Sequence, residues 1–209
     1  MVMVEGMASR TVADAPLPPR SRRAYAMGMV DLVHWTRAQV LALPDDGTRR
    51  ELIDGELVVT PSPAMRHQAV VSALFERLVG HVAAAGLGRV LSAPADLFGQ
   101  HGQLAQPDLF VVPTRAVGEW DAVPTPSLVI EVLSPSTARY DRVLKRRFYQ
   151  RMGVAEYWIV DVDARMVERW RPGDERPEVM AEALSWVPAA GGVALVIDLP
   201  VLFVEALER

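Results

Sequence analysis

The chain has 209 residues, 50% hydrophobic and 23% charged, with 22 basic against 26 acidic side chains and a formal net charge of −4. That length suffices for a sizeable core in one main domain, and the acidic balance excludes a surface coated with positive potential, so a polyanionic partner would need a local basic patch. The absence of cysteine excludes disulfides, thiolate metal sites and cysteine nucleophiles, and with no apolar run near ~18 residues and no signal-peptide segment a cytoplasmic protein without membrane contact is expected.

Residues 1–28 carry Pro16, Pro18, Pro19 and the arginines 20, 22 and 23 without apolar periodicity. They are expected to be a disordered leader, with residues 29–209 forming the domain and Met27 or Met29 as alternative starts. Thr36 followed by Gln39 predicts a capping box ahead of a short helix through Val40, Leu41 and Leu43, closed by Pro44. Residues 50–60 (RELIDGELVVT) have two β-prone arms around Asp54-Gly55, a hairpin signal flanked by Glu51 and Glu56. Over 64–85, Val70, Leu74, Leu78 and Val82 recur at helical spacing and predict the longest helix, stopped by Gly86 and Gly88. Stretches 90–98, 106–112 and 127–133 read as three neighbouring strands of one sheet. Ser134-Pro135-Ser136-Thr137 then breaks the third strand and predicts an N-cap for a helix over 138–152, ended by Gly153. A hairpin follows at 156–162 and 166–171, turning at Asp163-Ala164, and two last strands are expected at 193–197 and 201–204.

Within this pattern two carboxylates stand in apolar runs. Asp108 opens Leu109-Phe110-Val111-Val112, and Glu131 lies inside Leu128 to Leu133. An ionised carboxylate there is costly unless a cation compensates it. On adjacent strands about 4.8 Å apart, alternation places Asp108 with Phe110 and Val112, and Glu131 with Val129 and Leu133, on faces that can share a ligand. Two carboxylates so close repel, and a divalent cation relieves the repulsion. Mg²⁺, or Mn²⁺, suits a few oxygen ligands with positions left for water and phosphate, and the backbone carbonyl of Val132 is a further candidate ligand. A water held there becomes acidic enough to attack a phosphodiester.

Lys145 is the one lysine among the 22 basic residues, which points to a position needing a compact ammonium. Asp141, Lys145 and Tyr149, at i, i+4 and i+8, share one helix face. Turned to the sheet, the ammonium would stabilise charge developing in a transition state; turned to solvent, Asp141–Lys145 is a surface pair of little energy. The same helix carries Arg139, Arg142, Arg146, Arg147 and Arg151. This is either a patch for DNA phosphates or an ordinary solvated face. Arg142, Arg146, Tyr149 and His67 are the candidate substrate contacts.

The order of Pro107-Asp108, a strand glutamate and then a lysine resembles the PD-(D/E)XK restriction-endonuclease-like superfamily. More specifically, ELIDGELV, His67 at the start of the long helix, QPDLFVV, VIEVLSPST, the D-x-x-x-K-x-x-x-Y face and GVAEYWIVD resemble the Uma-two family of restriction-endonuclease-like proteins, formerly a domain of unknown function, from about Leu32 to Leu207. The resemblance implies an α/β (α+β) fold with a mixed central sheet flanked by helices, Mg²⁺-dependent DNA cleavage, and a homodimer. It implies Asp108 and Glu131 as metal ligands and Lys145 as catalytic base or charge stabiliser. Glu51 corresponds to the acid that superfamily members bring from an early element, as a second-metal or water ligand. In the usual E-x-K pattern the lysine follows the glutamate by two residues, where this chain has Leu133, so Lys145 has to reach in from the next helix. Read without the family, Glu51 is also an exposed strand residue and His67 a capping or packing histidine. The rival reading of the whole is a non-catalytic nucleic-acid-binding or interaction module.

Overall fold

Alternation of apolar side chains along β-branched runs builds the strands, and it also decides which residues face the site. The computed structural model describes residues 34–113, 118–135, 137–188 and 192–208; the expected leader lies outside the described residues. The capping box forms as expected, with Thr36 and Gln39 bonded reciprocally at the start of helix α1 (Arg37–Leu41). Strands β1 (Arg49–Ile53) and β2 (Glu56–Thr60) make the hairpin. Asp54 and Gly55 turn it at φ 53° and 81°, the left-handed pair that a tight two-residue turn requires. Helix α2 (Met65–Ala84) follows.

The stretch expected as one strand at 90–98 is broken. Strand β3 (Arg89–Ser92) ends before Pro94, which has no N–H to donate, and β4 (Leu97–Phe98) belongs to another sheet. With β5 (Leu104–Ala105), β4 completes a four-stranded sheet of order β2-β1-β5-β4. The chain then crosses through Gln106-Pro107-Asp108 into β6 (Leu109–Val112). Together with β7 (Leu128–Val132), β8 (Glu156–Asp161), β9 (Met166–Trp170) and β10 (Glu178–Met180), it forms a mixed sheet of order β10-β9-β8-β7-β6-β3. Only β7 and β8 are parallel in it. Their crossover is helical, as parallel neighbours require: α3 (Ala138–Tyr140), a π-helical segment Asp141–Lys145, and α4 (Arg146–Met152), ended by Gly153 at φ 81°.

Past β9 the expectation needs correction. Strand β11 (Ala183–Trp186) pairs with β12 (Leu195–Asp198), and the predicted strand at 201–204 is part of helix α5 (Leu199–Glu208). Asp198 Oδ1 accepts from Val201 N at 2.9 Å, Pro200 occupies the first turn, and buried Leu199, Leu202 and Phe203 recur at helical spacing. These helix-start signals outweigh the β-branched Val201 and Val204.

The large sheet separates two cores. On one face Leu109, Val111, Leu128, Ile130 and Trp158 pack with Val70, Leu74 and Leu78 of α2 and Phe203 of α5. On the other, Phe110, Val129, Tyr157 and Ile159 meet Phe148 and Tyr149 of α4 and Ile53 of β1. Period two assigns Asp108 and Glu131 to this second face, beneath α4 and beside the small sheet. Among the described residues no helix is long and apolar enough to cross a membrane.

Candidate active site

Strands β6 and β7 pair with Leu109 opposite Ile130, so one step further Asp108 lies opposite Glu131. The Val132 amide donates to Asp108 Oδ2 at 2.8 Å and closes that step. Val132 thus meets Asp108 through its N–H, where the sequence pointed to its carbonyl as a ligand. Asp108 Oδ2 also accepts from His67 Nε2 at 3.1 Å, from the first turn of α2. Its other oxygen, Oδ1, accepts from Arg49 Nη1 at 2.9 Å.

Lys145 is buried, only 2% exposed, and reaches in from the helical crossover. Its Nζ lies 2.9 Å from Glu131 Oε1, 2.9 Å from Glu51 Oε1 and 3.5 Å from Asp141 Oδ1. Tyr149 OH donates to the same Glu131 Oε1 at 2.8 Å. An α-helix overshoots a full turn by about 40° every four residues, so three side chains at i, i+4 and i+8 would fan out. A π turn holds more residues and falls short of the full turn. The π segment Asp141–Lys145, followed by α-helical turns to Tyr149, cancels the drift and keeps all three side chains aimed at one place.

Glu51 is buried, 1% exposed, and besides Lys145 it accepts from the Gln106 amide at 2.8 Å. Period two along β1 gives it the same face as Ile53 in the second core and as Arg49. Arg49 escaped the sequence reading, although this alternation was the available signal. Its guanidinium bonds Asp108 and the Gln106 carbonyl, and Nη2 stands 3.6 Å from Glu131 Oε2 and 3.8 Å from Glu51 Oε1. Arg142 and Arg146, expected at the substrate, face elsewhere. Arg142 pairs with Asp161 Oδ2 at 3.0 Å and Glu168 Oε1 at 2.7 Å, and Arg146 lies over the Trp170 ring at 4.6 Å and bonds Gln150. Acids of β8 and β9 beneath the crossover draw Arg142 away, and the Trp170 ring of β9 and Gln150 hold Arg146, which periodicity along one helix cannot reveal.

The four carboxylates of Glu51, Asp108, Glu131 and Asp141 thus face two cations, Arg49 and Lys145. Burial opposes both cations, yet Glu131 and Glu51 outweigh it and hold their protons on more tightly than usual. Burial likewise opposes ionised Asp108, but the His67 hydrogen bond and the Arg49 guanidinium keep it down at about 2. Glu131, buried and near two further acids, is pushed up to about 8 despite Lys145. Four carboxylates against two cations leave a formal excess of negative charge, which adds to burial in raising Glu131, and hard oxygen donors of this kind fit Mg²⁺ or Mn²⁺. Among the described residues, however, no three acidic or imidazole groups are already arranged to hold a metal. A cavity of about 200 Å³ opens above Asp108, Glu131 and Lys145, walled by Ser62 to Ala64 and Ser134-Pro135. Arg49, Thr60, His67 and Asp141, which line it, each also have a buried side-chain polar atom without a hydrogen-bond partner.

A solved structure, of a "putative nuclease belonging to DUF820" from Anabaena variabilis, is similar to this chain at a TM-score of 0.68 and 24% sequence identity, covering 83% of this chain and 99% of the other. That likeness is one of fold: a mixed sheet flanked by helices. None of the curated proteins matches. The family model whose description reads "Putative restriction endonuclease" matches residues 37–197, which include every residue of the site described above. The chain therefore belongs to the Uma2 family, whose model carries that description.

Proposed function

We propose that this protein is a divalent-metal-dependent phosphodiesterase that nicks DNA as an endonuclease. The observation that carries the reading is the register of Asp108 against Glu131, with the Lys145 ammonium 2.9 Å from Glu131 at the floor of a polar cavity. Asp108 and Glu131 are the residues that would hold Mg²⁺ or Mn²⁺, with the Val132 carbonyl as a further candidate; the ion would acidify the attacking water and draw charge from the phosphate. His67 and the Val132 amide fix the Asp108 carboxylate in place. Glu51, Asp141 and Tyr149 position Lys145 and Glu131. Because its carboxylate neighbours keep Lys145 protonated, its part is to stabilise charge that develops on the phosphate, not to take a proton as base. The first turn of α2 has no side-chain cap and opens into the same cavity, an end that favours a phosphate. With one such site per chain, cutting both strands of a duplex calls for two copies, so a homodimer belongs to the reading.

Asp108→Asn, Glu131→Gln and Lys145→Met should each lower Mg²⁺- or Mn²⁺-dependent nicking of supercoiled plasmid by about 10²–10³-fold or more. Undiminished cleavage by all three would overturn the assignment. One observation favours a second reading, a DNA-binding module without catalysis: the carboxylates already have a guanidinium as counter-ion. Such a module would bind duplex DNA, cut none of it with either metal, and be indifferent to Glu131→Gln.

A further inference from the structure

Arg49 stands where a cation shared by Asp108 and Glu131 would stand. Its Nη1 takes Asp108 Oδ1 at 2.9 Å, its Nη2 faces Glu131 Oε2 at 3.6 Å, and the same Nη2 faces Glu51 Oε1 at 3.8 Å. Lys145 is fully enclosed, whereas the Arg49 side chain is 21% exposed. Arg49 also lines both the cavity over the site and a neighbouring one of about 500 Å³, bounded by Thr48, Gln68 and Pro94. Its Nε has no partner. The guanidinium is therefore bound by carboxylates and by the Gln106 carbonyl, its buried Nε is unsatisfied in this position, and it adjoins open volume into which it can withdraw.

We propose that Arg49 and the divalent cation are exchange partners. The guanidinium holds the carboxylates together in the metal-free protein and gives up its contacts with Asp108 and Glu131 when the cation enters. The inference rests on the metal-dependent reading of the site. Electrostatics gives it direction: three clustered carboxylates need a nearby positive charge, and a guanidinium and a divalent ion bonded to the same oxygens exclude each other. Metal then binds only the fraction of molecules in which Arg49 has left, so its apparent affinity falls by that fraction. Arg49 is thus a positioning residue that sets metal affinity. A merely structural Arg49 would act in the opposite sense, since its loss would loosen the ligands and weaken binding.

The test is calorimetric titration of the metal-free full-length chain with MnCl₂, without DNA, comparing wild type, Arg49→Met and Arg49→Lys. Arg49→Met should bind Mn²⁺ at least about tenfold more tightly than wild type, with Arg49→Lys between them because an ammonium lacks the fork that spans two carboxylates. Binding by Arg49→Met that is equal to or weaker than wild type overturns the exchange and leaves the nuclease reading standing; no binding by any of the three overturns both. If Arg49→Met is unfolded without metal, Mn²⁺ should restore its circular dichroism spectrum, and a variant that stays unfolded at saturating Mn²⁺ also overturns the exchange.

Discussion

Lys145 is the residue on which the site's electrostatics turn, since among the described residues it alone lies within 3.5 Å of Glu51, Glu131 and Asp141 together. Breaking a buried ion pair by removing one partner leaves the other charge uncompensated and costs about 3–5 kcal/mol. Lys145→Met should therefore lower unfolding stability by about that much in urea titrations, and adding Glu51→Gln should recover part of the loss; a Lys145→Met protein as stable as wild type would contradict the charge balance described here. Asp108 makes a separate, pH-dependent contribution. Its carboxyl sits at about 2 in the folded protein against an ordinary 3.8, so the unfolded chain binds the proton first on acidification. Its stabilisation is fully present above pH ~4 and is lost as pH falls toward 2, about 2 kcal/mol in all. Glu131, raised from 4.5 to about 8, has the opposite sign: the folded protein keeps its proton longer, and stability falls as pH rises through that interval. Asp108→Asn should flatten the acid limb of stability against pH, and a limb of unchanged slope would show that Asp108 does not supply it.

At the scale of elements, the crossover between β7 and β8 converts sequence spacing into a site. The four-residue repeat of Asp141, Lys145 and Tyr149 was legible, and so was the solitary lysine. What spacing alone cannot express is that a pure α-helix would splay these side chains, and that a π segment corrects it. Deleting Val143, an exposed residue within the segment, should let the helix relax to α geometry, keep its helical circular dichroism, and lower nicking at least about tenfold by turning Asp141 away from Lys145. Activity retained in that variant would mean that the π turn does not aim the stripe. The same distinction explains the other outcomes. The Asp54-Gly55 hairpin, α2 and the β6–β7 pair were readable because their signals are local. The break at Pro94 is masked by the apolar residues on both sides of it, and the helix at Leu199–Glu208 by the β-branched Val201 and Val204 that follow the Asp198 cap. Alternation along β1 puts Arg49 on the face of Glu51 and Ile53, but the partners it meets there are set only when β1, the Gln106–Asp108 crossing and β7 come together.

For the whole molecule, the question is how a chain of net charge −4 engages a polyanion. The basic helix carries five arginines, but folding engages three of them. Arg142 is held by Asp161 and Glu168, Arg151 by Asp54, and Arg146 is stacked on Trp170. Arg139 and Arg147 remain exposed, with no ion-pair or hydrogen-bond partner among the described residues. Only Arg139 adjoins the cavity wall, two residues beyond Thr137. Each neutralised phosphate contributes about −0.9 to the slope of log affinity against log salt. A protein using the whole helix would therefore approach −5, whereas the paired arginines leave a slope near −2. Anisotropy titrations of duplex DNA with the Glu131→Gln protein across a potassium chloride series measure this directly, and Arg139→Ala should make the slope shallower by about 0.9. A slope steeper than about −4 would mean that DNA pulls Arg142 and Arg151 out of their ion pairs, and the helix would then be the binding face after all.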